Sequence, residues 1–297
     1  MTMIQGNNNL SVLPFYEVDA ERHHNRPYAY GAVYPLYTPL GSVPPFQIIR
    51  KHGGSTVSGC RLMKYQDASY WNIQTQLSEA GLKVLTYDEY DIIVFPSVSP
   101  MNITPIEGQF YMELVTSDYT IYRSDVFTVC GAMDGFLNLQ WWDIEDLVMD
   151  AGRIAYAYQG ENVYRNTLWL QTQLGKPEYT FEEEGEARDG YFFPEKMISG
   201  KTYKFTILAS EYLCDVMRFI RLSDFVFVRD QYNNTYRCDT FLITPKWETQ
   251  GDLASVEVEF TCDTVAKKVG RGLVGLGDYG DFNDDYNNDY DITLNEE

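Results

Sequence analysis

The amino-acid sequence predicts a mainly β protein with two β-sandwich-like domains, the second of which has one amphipathic helix packed on its sheet. Aromatic residues make up 15% of the 297 residues, and aromatic side chains favour the half-buried surface of a strand. Short segments that alternate apolar and polar residues recur between turn signals, a spacing that is typical of sandwiches. One stretch, close to Leu213, has the apolar period of an amphipathic helix.

Residues 1–30 are predicted to form an extended N-terminal arm. This stretch is mostly polar and contains one short apolar patch at 12–16. Five prolines between positions 27 and 45 then favour a segment laid across another surface over regular structure. The arm is therefore expected to contact something other than its own sheet.

The first domain is predicted over 31–130. Strands are expected at 88–96, which carries an unbroken apolar run, and around Phe110, Met112 and Leu114, which alternate with polar neighbours. Turn signals separate these strands from one another, as a sandwich requires.

The second domain is predicted over 131–270. Apolar and polar residues alternate at 202–207 and again at 255–260, so both segments are expected to be strands with one buried face. The glutamate-rich run 182–186 between the predicted strands is expected to be a solvated loop.

A helix is predicted over 210–222, with Ser210 as its N-cap and Glu211 at the positive end of the helix dipole. Four apolar side chains fall at i, i+3, i+4 and i+7, and are expected to pack on the sheet: Leu213, Val216, Met217 and Ile220.

Residues 271–297 are predicted to form a flexible, acidic tail rich in Gly, Asp and Asn. The glycines at 270, 272 and 275 match a dinucleotide fingerprint in spacing, but no helical pattern follows them. Alternate Asp and Asn residues suggest a calcium loop, yet Tyr286 and Ile292 stand where such a loop needs Gly and Glu. Neither motif predicts a ligand site.

Composition excludes several classes of function. A net charge of −20 opposes binding to nucleic acid or to an anionic membrane surface. Five cysteines without a C-x-x-C pair predict mainly reduced thiols, and three histidines predict no zinc site or catalytic triad. No secretory signal is expected at the N-terminus. We therefore predict no catalytic residues, no metal and no cofactor.

Four tryptophans, together with the many tyrosines, could form a platform that stacks on a ligand: Trp141, Trp142, Trp169 and Trp247. Trp169 and Trp247 are the two chosen as candidate stacking residues. Tryptophan and tyrosine rings can stack on sugars, although aromatic residues in short strands more often belong to a core or an interface. A host-surface glycan is the ligand that this alternative implies.

The chain resembles structural proteins, of the tail, baseplate or collar kind, from phages and prophages of Bacteroides-type gut bacteria. The resemblance covers residues 44–269 and is carried by Gly108-Gln109-Phe110-Tyr111, Tyr122-Arg123-Ser124-Asp125-Val126-Phe127, Lys176-Pro177-Glu178-Tyr179, Asp189-Gly190-Tyr191-Phe192, Tyr203 with Phe205, Glu211-Tyr212-Leu213, and Trp247 with Leu253-Ala254. It implies a non-enzymatic virion component with β-sandwich domains that is assembled in the host cytoplasm, and it supplies no active-site residues.

Unpaired strand edges bind other chains. We therefore expect a homo-oligomeric ring that forms with other virion proteins through its sheet edges and its arm. The alternative is a receptor- or carbohydrate-binding β-sandwich module at the tail tip.

Overall fold

The computed structural model describes residues 11–18, 36–51, 56–87, 90–95, 107–143, 147–149, 154–156, 158–159, 162–188, 190–247 and 253–268. The described part of the protein is mainly β, with one large sheet, a smaller sheet and short helices, which confirms the predicted fold class.

Ten strands and one helix precede residue 131. They are β1 (Phe15–Glu17), β2 (Leu36–Pro39), β3 (Phe46–Lys51), β4 (Val57–Lys64), β5 (Tyr70–Asn72), α1 (Gln74–Glu79), β6 (Lys83–Tyr87), β7 (Tyr90–Phe95), β8 (Gly108–Thr116), β9 (Ile121–Ser124) and β10 (Phe127–Cys130).

The remaining elements follow residue 131. They are β11 (Leu137–Trp142), β12 (Leu147–Met149), β13 (Ile154–Tyr156), β14 (Tyr158–Gln159), β15 (Asn162–Val163), β16 (Asn166–Leu170), β17 (Glu178–Arg188), β18 (Tyr191–Ser210), α2 (Glu211–Met217), a 3-10 helix (Ile220–Leu222), β19 (Phe225–Arg229), β20 (Thr235–Trp247) and β21 (Leu253–Lys268).

Among the described residues the large sheet has 14 strands, twelve of which follow the order β1-β9-β8-β10-β2-β16-β11-β19-β20-β21-β18-β17, while β4 pairs with β8 and β5 pairs with β4 off this path. Strand β8 is a branch point, because β4 pairs along one of its edges while β9 and β10 pair with different halves of the other. Strand β2 runs parallel to β10 and antiparallel to β16. One sheet thus joins strands from both sides of residue 130, and the domain boundary expected there stays a prediction.

The chain divides into two compact units. The first comprises Met1–Phe181 and Ser199–Val265, and the second comprises Glu182–Ile198 and Ala266–Glu297. In the second unit, Lys196 Nζ lies 3.2 Å from an oxygen of Glu184. The predicted tail, 271–297, lies outside the described residues.

A smaller sheet, β3-β7-β6, packs against the large one through aromatic side chains. Phe46 of β3 lies between Phe15 of β1 and Phe95 of β7, with ring centroids 4.6 Å and 5.7 Å away. All three rings are fully buried. Both faces of β7 are buried as well, which explains why its sequence is an apolar run and does not alternate.

Residues 11–18 lie in the protein's own core. Val12, Leu13 and Phe15 are buried, and β1 pairs antiparallel with β9. The apolar patch of the predicted arm is therefore an edge strand of the large sheet. The rest of the predicted arm lies outside the described residues.

The helical segment is shorter and less regular than predicted. In place of one helix over 210–222, the α-helix α2 ends at Met217 and a 3-10 helix begins at Ile220. The Ser210 hydroxyl caps α2 by accepting the Leu213 N–H at 3.3 Å. Beyond Met217 the Phe219 N–H reaches back only three residues, to the Val216 carbonyl, which tightens the turn.

The apolar positions of that segment face the interior. Leu213, Val216, Met217 and Ile220 are all buried. The 3-10 helix contacts β20, and the Tyr212 hydroxyl donates a hydrogen bond to the carbonyl of Ser11 at 2.5 Å. The helical segment thus joins the N-terminal residues to the sheet.

The glutamate-rich run 182–186 is a strand and not the predicted loop. It belongs to β17, whose neighbour in the sheet is β18. Glutamate is disfavoured in strands, which motivated the loop prediction. Every side chain of this run is exposed, so the glutamates keep their hydration while the backbone pairs with β18.

Candidate interaction surfaces

Two surfaces of the first unit carry side chains that a partner or ligand could contact. One is the Trp142 face, defined by the side chains of β11, β16, β19 and β20 that point away from the buried Leu139. The other is the β17 edge, defined by Glu178, Tyr179, Thr180 and Phe181.

Strand alternation and register build the Trp142 face. In β11, Leu137, Leu139 and Trp141 are buried in the core, so Asn138, Gln140 and Trp142 point to the other side. The antiparallel partners of these three residues share their side of the sheet. Those partners are Trp169 and Thr167 in β16 and Arg229, Phe227 and Phe225 in β19.

An aromatic cluster occupies one end of this face. The Trp142 ring stacks on Phe225 and on Phe227, with centroids 5.3 Å and 5.1 Å away. The guanidinium carbon of Arg165 lies 4.6 Å from the centre of the Trp142 ring, and that of Arg237 lies 5.4 Å from the centre of the Phe225 ring. Cations in these positions are attracted by the negative faces of the rings.

Asp143 fixes the geometry of that cluster. Its carboxylate accepts the Asp224 N–H at 3.0 Å and the Ser223 hydroxyl at 3.4 Å, which ties the end of β11 to the start of β19. Burial raises the pKa of Asp143 above its ordinary value, an effect only partly offset by these hydrogen bonds. The neighbouring Trp142 is thereby held opposite Phe225.

Unsatisfied polar atoms mark the other end of the Trp142 face. Asn138 Nδ2, Thr167 Oγ1 and Trp169 Nε1 are buried without a hydrogen-bond partner. Asn138 lies directly opposite Trp169 in the register, and its carbonyl oxygen accepts a bond from Gln140 at 2.7 Å. Buried polar groups without protein partners are usually satisfied by ordered water or by a ligand.

The charge of this face differs from that of the whole chain. The whole chain has a net charge of −20, whereas three exposed arginines lie at this face: Arg165, Arg229 and Arg237. Three carboxylates lie near these arginines, those of Asp143, Asp224 and Asp239, and the Asp239 carboxylate accepts the Thr264 N–H at 3.0 Å. Locally, the three guanidinium groups would attract an anionic group.

Trp169 and Trp247 do not lie on one surface. Trp169 belongs to the Trp142 face, whereas Trp247 is the last residue of β20 and is 47% exposed. Strand β19 pairs with β20 only as far as Arg237. At about 3.3 Å per residue, Trp247 lies on the order of 30 Å further along that strand. The sequence analysis named Trp142 as a stacking candidate but missed Phe225 and Phe227, because only the register of β11 against β19 brings them to Trp142.

The β17 edge ends the large sheet. Among the described strands, β17 has β18 as its neighbour and none beyond it. Tyr179 and Phe181 alternate with Glu178 and Thr180 and are 75% and 63% exposed. On the other side of the edge, the Glu178 carboxylate forms an ion pair with Lys204 of β18 at 3.1 Å. The charge of Glu178 thus has a partner within the chain, whereas the rings of Tyr179 and Phe181 remain exposed.

Comparisons with known proteins give no assignment. A scan against protein-family models and a search of curated proteins find no match to this chain. In the described ranges, no cluster of three or more His, Cys, Asp or Glu side chains is placed to hold a metal ion. None of the helices described here is long and apolar enough to cross a membrane.

Proposed function

We propose that this protein is a non-enzymatic structural protein of a phage virion, a tail, baseplate or collar component that is assembled in the host cytoplasm. The observation that supports assembly is the β17 edge. A sheet edge presents backbone N–H and C=O groups that can pair with another chain, and proteins that avoid such pairing shorten, cover or charge their edges. This edge instead exposes two aromatic rings on one side.

The proposed assembly is a homo-oligomeric ring that also contacts other virion proteins. Pairing along β17 would supply backbone hydrogen bonds, and Tyr179 and Phe181 would supply the apolar contact that selects the partner. Fully burying an aromatic side chain of this size stabilises a complex by about 1.5–3 kcal/mol. The remaining part of the N-terminal arm is proposed as a second contact.

Replacing both Tyr179 and Phe181 by Ser is expected to weaken self-association about 100-fold or more, since the two rings together would contribute about 3–6 kcal/mol and a tenfold change corresponds to about 1.4 kcal/mol. Size-exclusion chromatography with light scattering measures the oligomer over a range of concentrations. The matched control is Tyr232→Ser, because Tyr232 is 76% exposed but lies in the turn between β19 and β20. A wild-type chain that stays monomeric and does not enter particles would contradict the proposal.

A receptor- or carbohydrate-binding module at the tail tip is the second candidate. The Trp142 face favours it, because half-buried aromatic rings and the half-buried Gln140 amide lie there beside three exposed arginines. Aromatic rings can stack on sugar rings, and the Gln140 amide can bind their hydroxyl groups. The arginines favour acidic glycans among the possible ligands.

Trp169→Ala is expected to reduce glycan binding about 30-fold or more, because truncating a central tryptophan in an interface typically costs 2 kcal/mol or more. Trp247→Ala should leave that binding unchanged, because Trp247 lies at the far end of β20. A glycan array followed by titration calorimetry distinguishes the two variants, and circular dichroism checks their folding. Absence of saturable binding to any acidic or neutral glycan would remove this candidate and leave the structural one.

A further inference from the structure

Cys238 of β20 and Cys262 of β21 lie directly opposite each other. They are Cα partners in the antiparallel register of these two strands. Directly opposed residues have Cα atoms about 4.5–5.5 Å apart and side chains on the same face of the sheet. A disulfide needs Cα atoms about 4.4–6.8 Å apart. Both thiols are free in this structure.

The other three cysteines lack such a neighbour in the sheet pairing. Cys60 lies in β4 opposite Leu114, Cys130 lies in β10 beside Pro39, and Cys214 lies in α2. Position in the fold thus distinguishes one pair among five cysteines that look alike in the sequence.

We propose that Cys238 and Cys262 form a latent disulfide site, in which oxidation by a small-molecule disulfide joins β20 covalently to β21. The Cys238 thiolate attacks one sulfur of the small disulfide, forms a mixed disulfide and releases the first small thiol. The Cys262 thiolate then attacks Cys238 Sγ and releases the second. In total the two protein thiols lose two electrons and two protons. The small disulfide takes up the two electrons and the two protons and becomes two small thiols.

The order of attack follows from burial. Cys238 is partly exposed, whereas Cys262 is fully buried. An external oxidant therefore reaches Cys238 first, and Cys262 acts as the resolving thiol from inside the sheet.

The surroundings of the pair make its oxidation slow at neutral pH. Burial, then the neighbouring Cys262 and Asp239, raise the pKa of Cys238. Burial, with Asp263 and Asp239, raises the pKa of Cys262 to about 11 despite the opposing effect of Lys201. Because the thiolate is the attacking species, oxidation should accelerate as the pH rises from neutral towards these values.

A side-chain contact outside the strand ladder joins the two strands at this point, because the Asp239 carboxylate of β20 accepts the Thr264 N–H of β21 at 3.0 Å. The register shifts between Cys238 and Thr240, which places Asp239 in a bulge. Asp263 of β21 adopts a left-handed φ of 53° and pairs with Lys201 of β18 at 2.8 Å. Closing the disulfide would add a covalent link beside this irregularity.

The test uses the purified, reduced full-length chain, incubated under native conditions with oxidised glutathione at mildly alkaline pH. Lys246 lies between the two cysteines and Arg237 precedes Cys238, so trypsin places Cys238 and Cys262 on separate peptides. The expected result is a disulfide-linked pair of these peptides and an intact chain lighter by two hydrogen atoms. Cys130→Ala should behave in the same way, whereas Cys238→Ala should show neither change.

Three results would overturn the proposal. One is a native chain in which both cysteines remain open to alkylation after oxidation. Another is a mixed disulfide of glutathione with Cys238 that persists without formation of the Cys238–Cys262 disulfide. The third is a linked pair that forms as readily in urea-unfolded protein as in the folded protein, because the strand register would then contribute nothing.

Discussion

Phe15→Ala is expected to lower the free energy of unfolding by about 3–5 kcal/mol, the usual cost of removing a fully buried phenylalanine. Phe15 is completely buried and its ring lies 4.6 Å from that of Phe46, so the truncation would leave a cavity between the large and the small sheet. Urea denaturation of the full chain, followed by circular dichroism, measures the change.

Phe181→Ala is the matched control for this experiment, because the same atoms are removed from a side chain that is 63% exposed. It should change the unfolding free energy of the monomer by about 0.5 kcal/mol or less. If Phe15→Ala proves as mild as its control, the N-terminal segment does not belong to the core. An extended arm over all of residues 1–30 would then be the better description.

Leu213→Ala is expected to cost about 2–5 kcal/mol of stability, because Leu213 lies in the buried stripe of α2. Leu222→Ala removes the same atoms from the same helical segment at a position that is 59% exposed. That variant, like Arg218→Ala, should cost about 0.5 kcal/mol or less. Thermal unfolding of the three variants under identical conditions compares them directly.

A different outcome would place the apolar stripe of α2 in an interface with another subunit or partner protein. If Leu213→Ala and Leu222→Ala unfold alike, and Leu213→Ala also blocks assembly, then the apolar stripe of α2 is covered by a partner. The buried hydrogen bond from Tyr212 to Ser11 argues for an intramolecular cover, because it ties α2 to the N-terminal residues of the same chain.

The position of residues 11–18 limits which residues of the arm could contact a neighbouring subunit. These residues use their apolar side chains inside the protein's own core. An arm that contacts a neighbouring subunit would therefore be drawn from the other residues of 1–30. The β17 edge remains a described surface on which uncovered aromatic side chains lie on an edge strand.

Local sequence patterns were sufficient where one face of an element meets the core and the other meets water. The alternation in β8 and β21 and the apolar stripe of α2 report that asymmetry directly, because most of their buried positions hold apolar residues. Ser210 and Glu211 likewise mark the start of α2, since capping involves only neighbouring residues. The mainly β class and the existence of one amphipathic helical segment were determined in this way.

Strand pairing over long sequence distances was decided only in the tertiary structure. The glutamates of β17 disfavour a strand, but pairing with β18 satisfies their backbone while their side chains stay in water. Trp142 meets Phe225, and Cys238 meets Cys262, because particular strands are neighbours in a particular register. A register shift of one residue would turn each of these side chains to the opposite face, and no local pattern around any single cysteine or tryptophan specifies its partner.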